Sequence, residues 1–103
     1  MGFMIEVRQT AEFSRWLRRL KDANAVARIV ARIRRMEQGN LGDSRSLGAG
    51  LMEMRIDYGP GYRVYFGKDG NRLAILLGGG TKKRQRQDID AALGYWQDYK
   101  RRR

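Results

Sequence analysis

Residues 51–66, LMEMRIDYGPGYRVYF, contain two short runs in which apolar and polar side chains alternate around a turn. The apolar side chains of these runs fall at even positions: Met52, Met54, Ile56, Tyr62, Val64 and Phe66. This alternation around a Gly-Pro-Gly turn predicts an antiparallel hairpin. Paired residue numbers should add to an even value such as 118 or 120, because only then do the apolar side chains share one face. The opposite face then carries Glu53, Arg55, Asp57, Arg63 and Tyr65.

Further elements are predicted on both sides of this hairpin. Residues 72–77 are apolar at nearly every position, which indicates a strand in the interior of a sheet, and residues 4–9 alternate as a short first strand. Thr10 can cap a helix with an apolar stripe over residues 13–20, and a second stripe over 26–36 ends at Gly39. Residues 39–50 are expected to form the main loop, and residues 83–99 a final helix.

The order of these elements predicts one α+β domain that spans residues 1–103. It consists of an N-terminal strand, an antiparallel helical hairpin, a three-stranded antiparallel meander and a C-terminal helix. The helical hairpin is expected to cover one face of the mostly antiparallel sheet. The other face is expected to be open and to carry the Arg and Tyr side chains. Trp16 and Trp96 are expected to belong to the core.

Composition restricts the chemistry of this domain. The chain has 22 Lys and Arg against 11 Asp and Glu, a net charge of +11, and neither histidine nor cysteine. Catalytic triads, histidine-pair nucleases, disulfides and His or Cys zinc sites are therefore excluded, and no cofactor or metal is expected. The charge favours a polyanionic partner. No apolar run is long enough for a bilayer and no signal peptide is recognisable, which predicts a cytoplasmic protein without a membrane partner.

Residues 76–87, LLGGGTKKRQRQ, combine three glycines with a cluster of cations. The spacing does not match the Walker A or the dinucleotide-binding pattern, so a nucleotide cradle is not indicated. Thr81 can cap the last helix, and the N–H groups at its start could bind an anion beside Lys82 and Lys83. A tight turn with solvated lysines explains the same residues, and spacing alone favours that simpler interpretation.

Arg63 and Tyr65 form a more specific pair, since residues two apart on a strand share a face. Pairing places Arg55 or Glu53 opposite them. The arginines could bind a phosphate in bidentate fashion and the tyrosine could stack on an unpaired base. A solvated face with a salt bridge from Asp57 or Glu53 to Arg63 is an equally good interpretation. The many unbalanced arginines of the two helices slightly favour partner binding.

Four stretches together resemble the addiction-module killer proteins of the RelE/ParE superfamily, in the HigB-like branch. They are FSRWLRRLKD, RIVARIRRMEQGNLGD, GLMEMRIDYGPGYRVYF and LLGGGTKKRQRQDIDAA, and the resemblance covers nearly the whole chain. It implies the toxin of a type II toxin–antitoxin pair that enters the ribosome and cuts messenger RNA without metal. It also implies a cognate antitoxin, expected to be an acidic or helix-turn-helix protein, with DNA contacted through the antitoxin complex.

The resemblance also implies residue roles. Arg63 matches the arginine of the YRV strand and is assigned transition-state stabilisation. Lys82 matches the lysine after the glycines and would act as a base or as a phosphate ligand. Arg55 would position the phosphate and Tyr65 would stack on a base. Lys83, Arg84 and Arg86 would contact the nucleic acid. The Arg and Tyr near the C-terminus of RelE proper have no clear equivalent here, which leaves the general acid unassigned.

Two other functions remain open from the sequence. A ParE-like toxin on the same fold would poison DNA gyrase without cutting RNA. A basic module that binds RNA or DNA without catalysis would show binding that weakens steeply with salt.

Overall fold

The alternating stretch forms strands β3 (Leu51–Ile56) and β4 (Tyr62–Asp69) in the computed structural model, which describes residues 3–103. The strands pair antiparallel, with Met52 opposite Phe66 and Glu53 opposite Tyr65. These numbers add to 118, so the register predicted from the alternation is confirmed.

The described residues form a five-stranded mixed sheet in the order β1 (Glu6–Gln9), β5 (Leu73–Thr81), β4, β3 and β2 (Ser44–Gly48). Strand β1 runs parallel to β5, and the other pairs are antiparallel. The predicted strand at residues 72–77 lies in the interior of the sheet, as expected, but continues through the three glycines to Thr81. The fold class is α+β, and the predicted strands and helices occur in the expected order, with one additional strand before β3.

One strand was missed by the sequence prediction. Residues 39–50 were expected to be a loop, yet β2 (Ser44–Gly48) pairs with β3 at the edge of the sheet. Its sequence, SRSLG, has a single large apolar side chain and no alternation. Pairing with β3 therefore makes this segment a strand, because intrinsic β-propensity is weak and depends on context.

Helices α1 (Ala11–Arg19) and α2 (Ala23–Glu37) pack on one face of the sheet. Their caps act as expected from the residue types: Thr10 Oγ1 accepts from the Phe13 amide, and Asp22 Oδ1 accepts from the Asn24 and Ala25 amides. Gly39 follows the end of α2 with φ +90°. The core on this side is formed by side chains from the helices and from alternate strand positions, including Phe13, Ile29, Met36, Met54, Ile56, Val64, Phe66 and Leu76.

The opposite face of the sheet is covered by the last helix. A 3₁₀ turn (Lys82–Arg84) leads into α3 (Gln85–Arg102), and Thr81 makes no side-chain capping bond there, contrary to prediction. Side chains of α3 and of the sheet form a second core, which includes Leu51, Tyr65, Ile75, Leu77, Ala92 and Trp96. Trp96 is core, as predicted, and Trp16 is partly buried against the first core. The expectation of an open sheet face is wrong, because three apolar side chains of α3 need a surface to cover: Ile89, Leu93 and Trp96.

Candidate functional site

Beside the covered part of the sheet, the structure opens a cleft of about 420 Å³ between the β3–β4 turn and the start of the 3₁₀ turn. Arg55 and Arg63 are direct partners across β3 and β4, and Lys82 follows the end of β5. The cleft thus brings together three of the four residues proposed as catalytic from the sequence. The full lining is Asp43, Arg55, Ile56, Asp57, Gly59, Pro60, Gly61, Arg63 and Lys82.

Arg63 is held rigidly at this cleft. Its side chain is only 8% exposed, and Nη1 donates to the Gly61 carbonyl at 2.9 Å. The same carbonyl accepts from the Lys82 amide at 2.8 Å, so one backbone oxygen ties the arginine to the start of the 3₁₀ turn. The Nε atom of Arg63 is buried and has no hydrogen-bond partner within residues 3–103. A buried donor of this kind is available to an incoming acceptor only after a small rearrangement of its surroundings.

Gly61 makes this arrangement possible. Its φ is +79°, a conformation that favours glycine, and a Cβ atom at this position would lie 2.8 Å from Arg63 Nη1. A side chain here would therefore strain the turn and displace the guanidinium. The Tyr-Gly-Pro-Gly turn thus shapes the cleft as well as linking the strands.

Arg55 and Lys82 are more accessible than Arg63. Arg55 is exposed, and its Nη2 lies 3.1 Å from Asp43 Oδ1, a contact that raises the pKa of Arg55. Lys82 is exposed and forms no ion pair in the described part of the chain. With Asp43 and Asp57 also in the lining, the three cations exceed the carboxylates by one charge. The cleft can therefore attract an anion, and its two fork-shaped guanidinium groups are suited to phosphate oxygens.

Tyr65 does not belong to the cleft. It lies under α3 with no exposed surface, and burial, together with the neighbouring Glu53 carboxylate, raises the pKa of Tyr65 well above its ordinary value. The prediction that Tyr65 stacks on a base from an open face is wrong for this structure, because Trp96 and its neighbours occupy that space. A phenol with so high a pKa is also a weak proton donor.

A buried carboxylate, Glu53, marks the boundary between the cleft and the covered region. Its side chain is fully buried; Arg45 Nε donates to Oε1 and Gln85 Nε2 to Oε2, both at 2.8 Å. Burial alone would raise the pKa of Glu53, but the bonds from Gln85 and Arg45 lower it overall. Sequence reasoning placed Glu53 on this face but offered Arg63 as its partner. Arg45 was not considered, since its strand was not predicted.

The remaining predicted contacts, Lys83, Arg84 and Arg86, lie on the 3₁₀ turn and the first turn of α3 and are exposed. None of them lines the cleft beside Arg63. Arg86 instead lines a separate shallow cavity with Arg45 and Gln85. Their roles stay predictions. Among residues 3–103 there is no cluster of three metal-ligating side chains and no helix with the length and hydropathy of a membrane span.

Comparison with known proteins places this sequence in a family. The profile of the family described as Phage derived protein Gp49-like (DUF891) matches residues 15–93. An uncharacterized protein of Haemophilus influenzae is 47% identical over 88 residues, which cover 85% of this chain and 89% of the relative.

A solved structure shares the fold. The chain resembles one in the crystal structure of the toxin–antitoxin complex RelBE2 from Mycobacterium tuberculosis, with a TM-score of 0.63 and 21% identity. The match covers 77% of this chain and 99% of the other. At that identity the likeness establishes a RelE-like fold, whereas the sequence match over residues 15–93 establishes the family. The chain therefore belongs to the Gp49-like (DUF891) family.

Proposed function

We propose that this protein is the toxin of a type II toxin–antitoxin pair and that it cleaves messenger RNA on the ribosome without a metal ion. The observation that carries the proposal is the convergence of Arg55, Arg63 and Lys82 on one cleft. The RelE-like fold and the net charge of +11 support it. The sequence resemblance to HigB-like proteins points to the same activity.

The chemistry that fits the cleft is an intramolecular phosphoryl transfer within the RNA strand. The 2′-hydroxyl oxygen attacks the adjacent phosphorus and the bond from phosphorus to the 5′-oxygen breaks, which leaves a 2′,3′-cyclic phosphate and a 5′-hydroxyl. Lys82 in its neutral form accepts the proton of the 2′-hydroxyl; if it instead stays charged and binds a phosphate oxygen, solvent water accepts that proton. Solvent water supplies the proton to the departing 5′-oxygen. Arg63 stabilises the charge that develops on the phosphorane, and Arg55 orients the phosphate.

The rigidity of Arg63 suits this role. A donor that is already fixed by the Gly61 carbonyl needs little reorganisation when charge appears on the substrate. Arg55 is tied only to Asp43 at the surface, and it can exchange that partner for a phosphate. The cleft thus combines one fixed arginine with one adaptable arginine.

The proposal includes a partner and a place of action. The structurally similar RelBE2 chain belongs to a toxin–antitoxin complex, and we propose that a cognate antitoxin, a helix-turn-helix protein, binds this chain and brings the complex to DNA. Action on messenger RNA at the ribosome places the protein in the cytoplasm.

Induction of the chain in bacteria, followed by mapping of transcript 5′ ends over the first minutes, tests the activity. We expect new ends within translated codons, and Arg63→Ala should reduce their formation about 10²- to 10³-fold, the usual effect of removing one charge-stabilising donor. Arg18→Ala is the control, since Arg18 is an exposed arginine that does not line the cleft. Purified Arg63→Ala should keep the wild-type circular dichroism spectrum.

Each other result has a definite meaning. Full cleavage by a folded Arg63→Ala variant would remove Arg63 from the mechanism. Growth arrest with a DNA damage response and intact transcripts would replace the nuclease by a gyrase poison. Unimpaired growth at high expression would leave a nucleic-acid-binding module without catalysis.

A further inference from the structure

Three arginines form a stripe along α2 that the proposed reaction does not use. Arg28, Arg32 and Arg35 stand at positions i, i+4 and i+7, so they lie on one side of the helix. They line a groove of about 270 Å³ between α2 and the end of β3, together with Ala31, Ile56 and Asp57. We call these six residues the α2 groove.

Like charges at this spacing repel one another, and the stripe is not neutralised within the described chain. None of the three arginines forms an ion pair with a carboxylate of residues 3–103. Asp57 is the acidic residue in the groove wall. An anionic ligand would relieve the repulsion, whereas solvent alone only screens it.

Two of the arginines are held in position by the fold. The Arg28 guanidinium lies over the Tyr58 ring, 4.5 Å from its centroid, and Arg32 Nη1 donates to the Arg55 carbonyl at 2.7 Å. Gly42 leaves room for Arg32, because a Cβ atom there would lie 2.7 Å from Arg32 Nη2. Fixed guanidinium groups lose less conformational freedom when a ligand binds than mobile surface arginines do.

The α2 groove is continuous with the cleft that contains Arg63. Ile56 and Asp57 line both, and Arg32 bonds to the backbone of Arg55, which belongs to the cleft. From Arg28 to Arg35 the helix advances about 10 Å at 1.5 Å per residue, which is long enough for more than one phosphate group. A polyanion that occupies the cleft can therefore extend along α2.

We propose that the α2 groove binds the phosphodiester backbone of the RNA strand next to the phosphate held in the cleft. This inference rests on the proposed function for the identity of the ligand. Arginine clusters also bind acidic protein segments, but the α2 groove is continuous with the cleft, so one RNA strand can occupy both, whereas an amphipathic acidic helix would need apolar surface to anchor it. Here the apolar surface consists of Ala31 and the nearly buried Ile56, 4% exposed.

The test uses the purified full chain and a ten-residue 2′-O-methyl oligoribonucleotide, which cannot be cleaved because the attacking hydroxyl is blocked. The variant Arg28→Gln/Arg35→Gln is compared with Arg18→Gln/Arg34→Gln. Both lower the net charge by two, but Arg18 and Arg34 are exposed residues outside the groove and the cleft. Affinity is measured by fluorescence anisotropy over a range of salt concentrations.

We expect the groove variant to bind the oligoribonucleotide more weakly by a factor of about ten or more, because it loses charge-assisted hydrogen bonds. The slope of log K against log salt should decrease in magnitude by about 1.4, which is 0.7 for each of two phosphates. The control variant Arg18→Gln/Arg34→Gln should keep most of the wild-type slope of log K against log salt. Equal losses of RNA affinity in both variants, or no loss in either, would overturn the proposal that the α2 groove binds RNA. Binding of a glutamate decapeptide that depends on Arg28 and Arg35, without such dependence for RNA, would overturn it in favour of an acidic protein partner.

The outcome is separable from that of the proposed function. If transcripts stay intact in cells but the groove variant shows a lower RNA affinity and a smaller salt dependence, the nuclease proposal fails and the proposal of RNA binding in the α2 groove holds. If Arg63→Ala abolishes cleavage while the groove variant binds normally, the groove fails and the nuclease proposal stands.

Discussion

Arg63 and Tyr65 lie two residues apart on β4 and project from the same face of the sheet, yet their surroundings are opposite. Arg63 lies at the rim of a cleft with Arg55 and Lys82, whereas Tyr65 is sealed beneath α3 next to Trp96. The boundary between them is the bond from Gln85, the first residue of α3, to the Glu53 carboxylate opposite Tyr65. The position at which α3 begins therefore decides which part of this face of the sheet can contact a ligand.

Residues that share this face of the sheet in the sequence pattern therefore have two different roles, stabilising the fold and binding a ligand. On the covered side, side chains stabilise the fold, and the largest effects of mutation should be on the free energy of unfolding. On the open side, side chains should matter for the ligand and little for stability.

Trp96→Ala should cause the largest loss of stability, about 3–5 kcal/mol, the usual cost of removing a fully buried large aromatic side chain. Trp96 is 1% exposed, its Nε1 donates to the Ala49 carbonyl at 2.7 Å, and it stacks on Tyr99. It also lies so close to Gly67 that any side chain there would overlap its ring. Urea unfolding of the purified protein measures the change.

Tyr95→Ala is the matched control for this prediction, since Tyr95 stands beside Trp96 on α3 but is 41% exposed. It should cost much less. A loss below about 1 kcal/mol for Trp96→Ala would mean that α3 is not the structural cover of this face.

The sequence predicted the fold well where one periodic pattern decides an element. The even positions of β3 and β4 fixed their register, and Thr10 marked the beginning of α1. The strand β2 escaped prediction because its pairing with β3, and not its own residues, makes it a strand. The glycines of β5 likewise indicate a turn by their sequence, although Gly79 is an interior strand position on which Trp16 packs.

The candidate site was predictable in part for a related reason. A strand alternation shows which residues share a face, and so Arg55 and Arg63 were placed together correctly. It does not show what packs on that face. The helical spacing of Ile89, Leu93 and Trp96 predicted α3 but not where α3 lies, and so the burial of Tyr65 could not be foreseen.

Glu53→Gln should have an intermediate effect, a loss of about 1–3 kcal/mol near neutral pH, because the carboxylate accepts two bonds that are stronger for a charged acceptor. The exposed position of Arg45 keeps the effect below that of a fully buried ion pair. The substitution should also loosen the start of α3 at the boundary with the cleft.

The pH dependence of this effect follows from the lowered pKa of Glu53 in the folded protein. The unfolded chain binds the proton more readily, so the stabilising contribution is complete above the ordinary glutamate pKa, about 4.3, and is lost as the pH falls through the lower folded value. The difference between wild type and Glu53→Gln should therefore be larger at pH 7 than at about pH 3 when both are unfolded by urea. A difference that grows on acidification would contradict the assigned sign.

Tyr65→Phe should have the smallest effect of all, a change in the free energy of unfolding within about 1 kcal/mol. The Tyr65 hydroxyl is buried beside the Glu53 carboxylate and makes no well-formed hydrogen bond in the described structure, so its removal costs little while the ring keeps its packing. Because the side chain cannot reach the cleft, the variant should generate the same transcript ends as the wild type, at the same rate. Loss of cleavage in a stably folded Tyr65→Phe protein would show that the hydroxyl meets the RNA. The first turns of α3 would then have to swing away from Glu53 during catalysis, which would join the covered and open sides into one site.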